Sequence, residues 1–163
     1  MGEENGKLRK FALVTGGSRG IGRAICIQLA KDTDYHILIN YQSNKLAAEE
    51  TLREVISIGG QGELIPFDVV DADSVISSLD QWQENNKEAI IEVIVNNAGI
   101  NRDGLFMWMK PEDWNAVINT SLNGFFNVTN HLIQKLLVNK YGRIINMVSL
   151  SGRPITQRPK ERW

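Results

Sequence analysis

The sequence has one cysteine and almost no net charge, and each of these shortages excludes a class of site or partner. Cys26 is the single cysteine among 163 residues, so an intrachain disulfide is impossible and metal sites built from paired cysteines are excluded. The 18 basic and 19 acidic residues leave a net charge of -1, which provides no extended field for nucleic acid or an anionic membrane. We therefore expect no nucleic-acid partner, no metal site and a reducing compartment.

Long apolar runs are missing too. The first ten residues are polar and lack the apolar run of a signal peptide, and no later segment approaches the roughly 20 apolar residues of a membrane span. A chain of this length forms one domain of ordinary size, with a core large enough to fold alone. The sequence predicts a single-domain, cytoplasmic protein without a membrane partner.

Short β-branched runs alternate with segments of helical period along the chain. The predicted strands lie within residues 10–17, 35–41, 62–69, 91–99 and 142–149. The longest helix is predicted to begin at Pro111, a residue suited to a first helical position, and to keep helical spacing to Leu136. Five strands alternating with four helices predict an α/β protein with a doubly wound parallel sheet. If the sheet is of the Rossmann type, its expected strand order is 3-2-1-4-5.

The strongest chemical signal is the glycine-rich stretch TGGSRGIG at residues 15–22, directly after the first strand. Gly16, Gly20 and Gly22 let the backbone approach a pyrophosphate, and the following helix N-terminus offers unpaired N–H groups. Taken alone, such a stretch is also compatible with a tight connection of no further function. Its position after the first strand favours a dinucleotide-binding fold of the Rossmann type.

The end of the second strand indicates which dinucleotide is bound. An acidic residue about 20 positions past the glycines would bind the ribose 2′-hydroxyl of NAD, but Asn40, Tyr41 and Ser43 are neutral. Arg19 in the glycine stretch suits a 2′-phosphate, although a solvated surface arginine is the alternative. Asp68 follows the third strand, where it either lies beside the adenine or caps a loop. These residues favour NADP(H) over NAD(H).

The glycine stretch, Asp68 and the NNAG tetrad at residues 96–99 together resemble the short-chain dehydrogenase/reductase family, over about residues 11–152. The residues after the tetrad narrow the resemblance to the 3-oxoacyl-acyl carrier protein reductases of fatty acid synthesis. They are Arg102, Asp103, Leu105 and Met109. Acetoacetyl-CoA reductases share much of this segment.

The resemblance implies NADPH-dependent reduction of a 3-oxoacyl thioester, carried on acyl carrier protein or on CoA, to the 3-hydroxyacyl form. It also implies a set of cofactor-binding residues. Around the phosphates and the ribose these are Thr15, Gly16, Ser18, Arg19, Gly20, Ile21 and Gly22. Asp68 and Val69 would flank the adenine, while Asn96, Ala98 and Gly99 would line the cofactor.

Four catalytic residues are implied by the same resemblance; one of them is matched and one is replaced by a different residue. Ser149 corresponds to the serine that hydrogen-bonds the substrate carbonyl, and Ser121 takes the place of the family's helix asparagine. The family's tyrosine donates a proton to the carbonyl oxygen and its lysine lowers the tyrosine pKa. Neither stands after Ser149, because the last tyrosine is Tyr141 and Lys160 has no tyrosine four residues before it.

Residues 153–163 are interpreted as an aberrant tail following a polar extension at 1–10 and an incomplete NADP(H)-binding domain at 11–152. With suitable synonymous codons, residues 154–163 read in a shifted frame as ANYSAAKGAV, which contains the family's tyrosine-lysine motif. The hypothesis is a frameshift just after Gly152, combined with a deletion.

On this hypothesis the last strands and helices of the family are missing and its homotetramer is disrupted. Two alternatives to the reductase remain. The first is a non-catalytic remnant that binds NADP(H), and the second is an acetoacetyl-CoA reductase or another short-chain alcohol dehydrogenase.

Overall fold

The computed structural model describes residues 8–102 and 104–148. Within these residues, five strands and five α-helical segments follow each other: β1 (Arg9–Val14), α1 (Gly20–Asp32), β2 (His36–Tyr41), α2 (Lys45–Ser57), β3 (Gly62–Pro66), α3 (Ala72–Asn85), β4 (Ala89–Asn96), α4 (Pro111–Ile118), α5 (Gly124–Val138) and β5 (Arg143–Asn146). Asp103, Ser149, the boundary at residue 152 and the tail at 153–163 lie outside the described residues.

The strands form one parallel sheet in the order β3-β2-β1-β4-β5, which confirms the predicted topology. Consecutive parallel strands need a crossover, and helices supply it here. The strand order reverses between β1 and β4. Ligands of open α/β sheets bind at the carboxyl ends of strands beside such a reversal, where the glycine stretch follows β1.

Helices cover both faces of the sheet and divide the core in two. On one face, Phe11 and Leu13 of β1 pack with Val128 and Leu132 of α5. On the other face, alternate residues of β1 pack with α1 and α2, and this cluster includes Cys26. A strand buried on both faces reads as a continuous apolar run, as β1 does in the sequence. Cys26 is completely buried in this cluster.

β4 carries one residue more than β1 across their pairing. Phe11 pairs with Ile91 and Ala12 pairs with Val93, so Glu92 has no partner on β1 and forms a β-bulge. Although Glu92 is buried, its carboxylate accepts a hydrogen bond from the Tyr35 hydroxyl (2.9 Å) and lies 3.0 Å from Lys10 Nζ. These two partners compensate the buried charge.

The long helix begins at Pro111 as predicted but does not run uninterrupted. A π-helical turn at Asn119–Asn123 separates α4 from α5, and the Gly124 N–H donates to the Asn119 carbonyl, five residues back. The prediction of one regular helix is therefore wrong at this turn. Apolar spacing does not reveal this widened turn, because Ile118, Leu122 and Phe125 follow each other at the four- and three-residue spacing of a regular helix.

Candidate cofactor and catalytic site

The turn between β1 and α1 requires its glycines. Gly16 and Gly20 have φ values of 63° and 57°, in the left-handed region that other residues rarely adopt. Gly22 is needed for space, since a Cβ there would lie 2.2 Å from the Gly16 carbonyl oxygen. The turn therefore folds back closely on the start of α1, and glycines at these positions place no side chain over its backbone.

The first turn of α1 favours an anion. Arg19 stands at the N-cap position without a side-chain capping hydrogen bond, and the first helical turn contains no acidic residue. The Arg19 side chain is exposed and makes no ion pair in the part of the chain that the structure describes. The positive end of the helix dipole and the guanidinium of Arg19 thus belong to the same helix terminus.

Thr15 and Asn97 connect this turn to the end of β4. The Thr15 hydroxyl accepts hydrogen bonds from the N–H groups of Asn97 (2.9 Å) and Ala98 (3.0 Å) and donates to the Val95 carbonyl (3.3 Å). The Asn97 side-chain amide donates to the carbonyls of Thr15 (2.9 Å) and Gly16 (3.3 Å). Asn97 was not among the predicted site residues, although its place in the NNAG tetrad pointed to it.

Asn40 holds the glycine turn from the opposite side. It is buried, and its side-chain oxygen accepts a hydrogen bond from the Gly16 N–H (3.1 Å). Its amide donates to the carbonyls of Phe67 (3.0 Å) and Ile65 (3.3 Å). As a direct cofactor contact Asn40 stays a prediction, because its polar atoms already bind the protein. Two further residues near the end of β2 were predicted to bind the cofactor. Of these, Tyr41 is buried and Ser43 is exposed.

Asp68 has the geometry of a loop cap. One of its carboxylate oxygens accepts from the Val70 N–H (2.9 Å), and the other accepts from the Gln42 side-chain amide (2.7 Å). Asp68 thereby ties the loop after β3 to the loop after β2. Its neighbour Val69 is buried against Gly124. A Cβ added to Gly124 would lie 2.7 Å from a Val69 methyl group.

Asn96 connects the end of β4 to α5 and β5. Its amide donates to the Thr129 hydroxyl (3.1 Å) and to the side-chain oxygen of Asn146 (3.0 Å). The side-chain oxygen of Asn96 is buried and has no partner among the described residues. The neighbouring Ala98 is half-buried and Gly99 is exposed, so the tetrad passes from the core to the open edge of the sheet.

The predicted catalytic residues are only partly described. Ser121 is exposed within the π-helical turn, a kind of turn that is frequent at functional sites. The nearest following asparagine, Asn123, lies two residues further along the turn, and its amide donates to the Asn119 side chain (2.8 Å). Ser149 follows β5 in the sequence but lies outside the described residues.

None of the three tyrosines offers an activated phenol at this edge. Burial, with the hydrogen bond to Glu92, raises the pKa of Tyr35 above its ordinary value. Tyr141 precedes β5, which places it at the opposite edge, and Tyr41 is buried on β2, with β1 between it and β4. Among residues 8–102 and 104–148, there is also no cluster of three or more metal-ligating side chains, and no helix is long and apolar enough to span a membrane.

The family of the chain follows from comparison with known proteins. The model of the short chain dehydrogenase family matches residues 10–158. The chain belongs to this family.

Several curated short-chain dehydrogenases resemble this chain. The 3-oxoacyl-acyl-carrier-protein reductase FabG of Staphylococcus aureus (strain Mu50) is 40% identical over 146 residues, covering 90% of this chain and 58% of the relative. An acetoacetyl-CoA reductase of Paracoccus denitrificans is also 40% identical over 146 residues, covering 90% and 57% respectively. The chain thus spans somewhat more than half the length of these relatives.

A solved structure agrees with the fold. A metagenomic short-chain oxidoreductase in complex with NADP superimposes with a TM-score of 0.81 at 27% identity, covering 92% of this chain and 66% of that one. The short-chain dehydrogenase fold therefore extends over the described sheet and its helices.

Proposed function

We propose that this chain binds NADP(H) and carries the fold of an enzyme that reduces 3-oxoacyl thioesters to 3-hydroxyacyl thioesters. The observation behind the proposal is the 40% identity to a 3-oxoacyl-acyl-carrier-protein reductase along 90% of the chain. The acyl group would arrive on acyl carrier protein or on CoA, since an acetoacetyl-CoA reductase is equally similar.

The described residues fit NADP(H). The glycine turn leaves open space beside Gly20, where a Cβ would meet no atom within 4 Å, and the exposed Arg19 is suited to a 2′-phosphate. No acidic residue ends β2, so nothing there selects the free 2′-hydroxyl of NAD(H). The proposed phosphate and ribose contacts are Thr15, Gly16, Ser18, Arg19, Gly20, Ile21 and Gly22, with Ser43 beside them. Asp68 and Val69 would flank the adenine.

In this proposal the bound cofactor supplies a hydride to the substrate carbonyl. Asn96, Ala98 and Gly99 line the nicotinamide end, where the β4 tetrad meets the glycine turn. Ser149 would hydrogen-bond the carbonyl oxygen and orient it, while Ser121 would face the same edge from the π-helical turn. The family resemblance supports these two roles.

Binding without turnover is the second candidate. It is favoured by residues 150–163, which contain no tyrosine and whose Lys160 has no tyrosine four residues before it, so they do not match the pair that the family uses as proton donor and its activator. Without a general acid the expected rate is lower by about 10²–10⁴-fold. The two candidates share the cofactor site and differ only in the chemical step.

Nucleotide binding tests the shared part. The 163-residue chain should bind NADPH more tightly than NADH, measured by quenching of protein fluorescence. Arg19→Ala should weaken NADPH binding by about tenfold with little effect on NADH, because one charge-assisted contact to the phosphate is lost. Equal affinity of the wild-type chain for the two nucleotides would contradict the proposal.

Turnover separates the candidates. NADPH oxidation is followed at 340 nm with acetoacetyl-CoA and with acetoacetyl-acyl carrier protein as substrates. Oxidation that requires a substrate and disappears in Ser149→Ala supports the reductase, and the ratio of the two substrate rates identifies the carrier. NADPH binding without any oxidation supports the second candidate.

A further inference from the structure

Arg23 lies where the glycine turn, α1 and α2 meet. Its guanidinium donates to Glu50 (2.7 Å) and Glu54 (3.1 Å) on α2, and also to the carbonyl of Ser18 (3.1 Å) in the glycine turn. Its side chain is 23% exposed. Two carboxylates neutralise its charge, so Arg23 is not available as a phosphate ligand in the way that Arg19 is.

The Ser18 carbonyl is held from two sides. Besides Arg23, the Thr51 hydroxyl on α2 donates a hydrogen bond to this oxygen (3.0 Å). The same hydroxyl oxygen accepts from Arg23 Nε (3.1 Å), and its single proton is shared between the carbonyls of Ser18 and Ala47 (3.2 Å). Thr51 is completely buried. Arg23 and Thr51 thus form a clamp on one carbonyl of the glycine turn.

The clamped peptide group is the one that leads into Arg19. Arg19 has extended backbone angles (φ -159°, ψ 171°) and is followed by Gly20 in the left-handed region. A rotation of the Ser18–Arg19 peptide would break both contacts to the Ser18 oxygen. The clamp therefore determines the direction in which the exposed Arg19 side chain leaves the turn.

Helix α2 also follows directly on the loop that holds Ser43, the second predicted contact near the 2′-phosphate. It begins at Lys45, immediately after the loop that contains Ser43, and Asn44 caps it by accepting from the Ala47 N–H (3.0 Å). Arg23 in turn contacts the Ala47 carbonyl (3.4 Å). The same helix thus orients both the Arg19 side and the Ser43 side of the opening.

We propose that Arg23 and Thr51 are positioning residues that set the preference of this site for NADP(H) over NAD(H), by holding Arg19 against the 2′-phosphate. The inference rests on the proposed NADP(H) site. Neither residue touches the cofactor. Their loss lowers the discrimination between the two nucleotides and leaves contacts to the shared pyrophosphate in place.

The test compares three threonine variants by dissociation constants for NADPH, NADH and 2′,5′-ADP. Thr51→Val removes the hydroxyl at nearly constant shape, and NADPH and 2′,5′-ADP binding should weaken about five- to tenfold while NADH binding changes less than about twofold. Thr51→Ser keeps the hydroxyl and should retain the wild-type preference. Thr33→Val is the matched control, since it removes a hydroxyl that donates to the Leu29 carbonyl at the far end of α1.

Thermal melting accompanies each measurement. If Thr51→Val is unfolded at the assay temperature, Arg23→Lys replaces it, because lysine keeps the charge but cannot contact Ser18, Thr51 and both glutamates together. Arg23→Lys should reduce the preference in the same direction.

Each remaining outcome decides the proposal. Equal weakening of NADPH and NADH, or an equal change in Thr33→Val, overturns the clamp and leaves the proposed function standing. A wild-type chain without preference for NADPH overturns the proposed function and the clamp with it.

Discussion

Gly22 leaves less room for a side chain than any neighbouring position of the turn. A Cβ would lie 2.2 Å from the Gly16 oxygen and 2.6 Å from the Asn97 amide nitrogen. Because both atoms belong to the link between β1 and β4, the backbone itself would have to move. The cofactor turn and the NNAG tetrad therefore share one steric requirement.

Gly22→Ala should cost about 1–3 kcal/mol of stability by overpacking and abolish measurable NADPH binding. The measurements are thermal melting and fluorescence quenching. Gly104→Ala is the control, as its Cβ would meet no atom within 4 Å and its φ is not in the left-handed region. Equal effects of the two substitutions would contradict the steric argument.

Cys26 is buried against the sheet, and burial raises the pKa of its thiol to about 12 from an ordinary value of 9.0. At pH 8 the native thiol is therefore neutral and inaccessible. It should react with a disulfide reagent at least about 100-fold more slowly in the native protein than in urea, because the thiolate is the nucleophile. Similar rates in both states would contradict the burial of Cys26.

Because of this raised pKa, the contribution of Cys26 to the stability of the fold depends on pH. The folded pKa lies above the unfolded value, so the contribution of this thiol to stability is fully present below pH 9 and is lost progressively toward pH 12. A change of stability below pH 8 does not arise from this residue.

At the level of secondary-structure elements, Asn40 holds three strand ends together. Its side chain accepts from the Gly16 N–H and donates to two carbonyls at the end of β3. Asn40→Asp replaces the donor by a carboxylate facing those carbonyls, so we expect a loss of at least about 1–3 kcal/mol in the free energy of unfolding.

Urea denaturation measures that loss, and Asn44→Asp serves as its control. Asn44 caps α2 by accepting from the Ala47 N–H, a role that aspartate fills equally well. A stability loss in Asn44→Asp as large as in Asn40→Asp would show that the added charge, and not the lost donor, is responsible.

The elements differ in how far sequence alone could predict them. The glycine turn, the start of the long helix at Pro111 and the alternation of strands with helices follow from local residue types and apolar periodicity, and the strand order follows from the Rossmann type. The π-helical turn does not, because Ile118, Leu122 and Phe125 across it have the spacing of a regular helix. Thr51 and Asn97 also escaped prediction, since their contacts to Ser18 and Gly16 span 33 and 81 residues and become visible only when the helices are docked.

At the scale of the whole molecule, α5 and β5 present several apolar side chains to solvent. Phe126, Leu137 and Val138 are 59%, 70% and 80% exposed, and all four residues of β5 are exposed. Exposed apolar surface of this kind favours association.

We predict that sedimentation velocity will give a mass above that of one chain, increasing with protein concentration. Phe126→Glu should shift the distribution toward monomer. Leu46→Glu is the matched control, because Leu46 is a similarly exposed residue (77%) on α2, away from α5 and β5. A single monomeric species at the highest soluble concentration would contradict the prediction.

The bulge at Glu92 changes which residues of β4 point to each face of the sheet. Before the bulge, the odd-numbered Ile91 points to the side covered by α3 and α5. After it, the even-numbered Ile94 points to that side, and Val93 and Val95 point to the side covered by α1 and α2. The two asparagines that follow inherit this phase: Asn96 reaches Thr129 on α5 and Asn97 reaches the glycine turn. In a regular strand of the same length without the bulge, the alternation would exchange their directions. The bulge at Glu92 therefore determines which of two identical side chains, Asn96 or Asn97, supports the glycine turn.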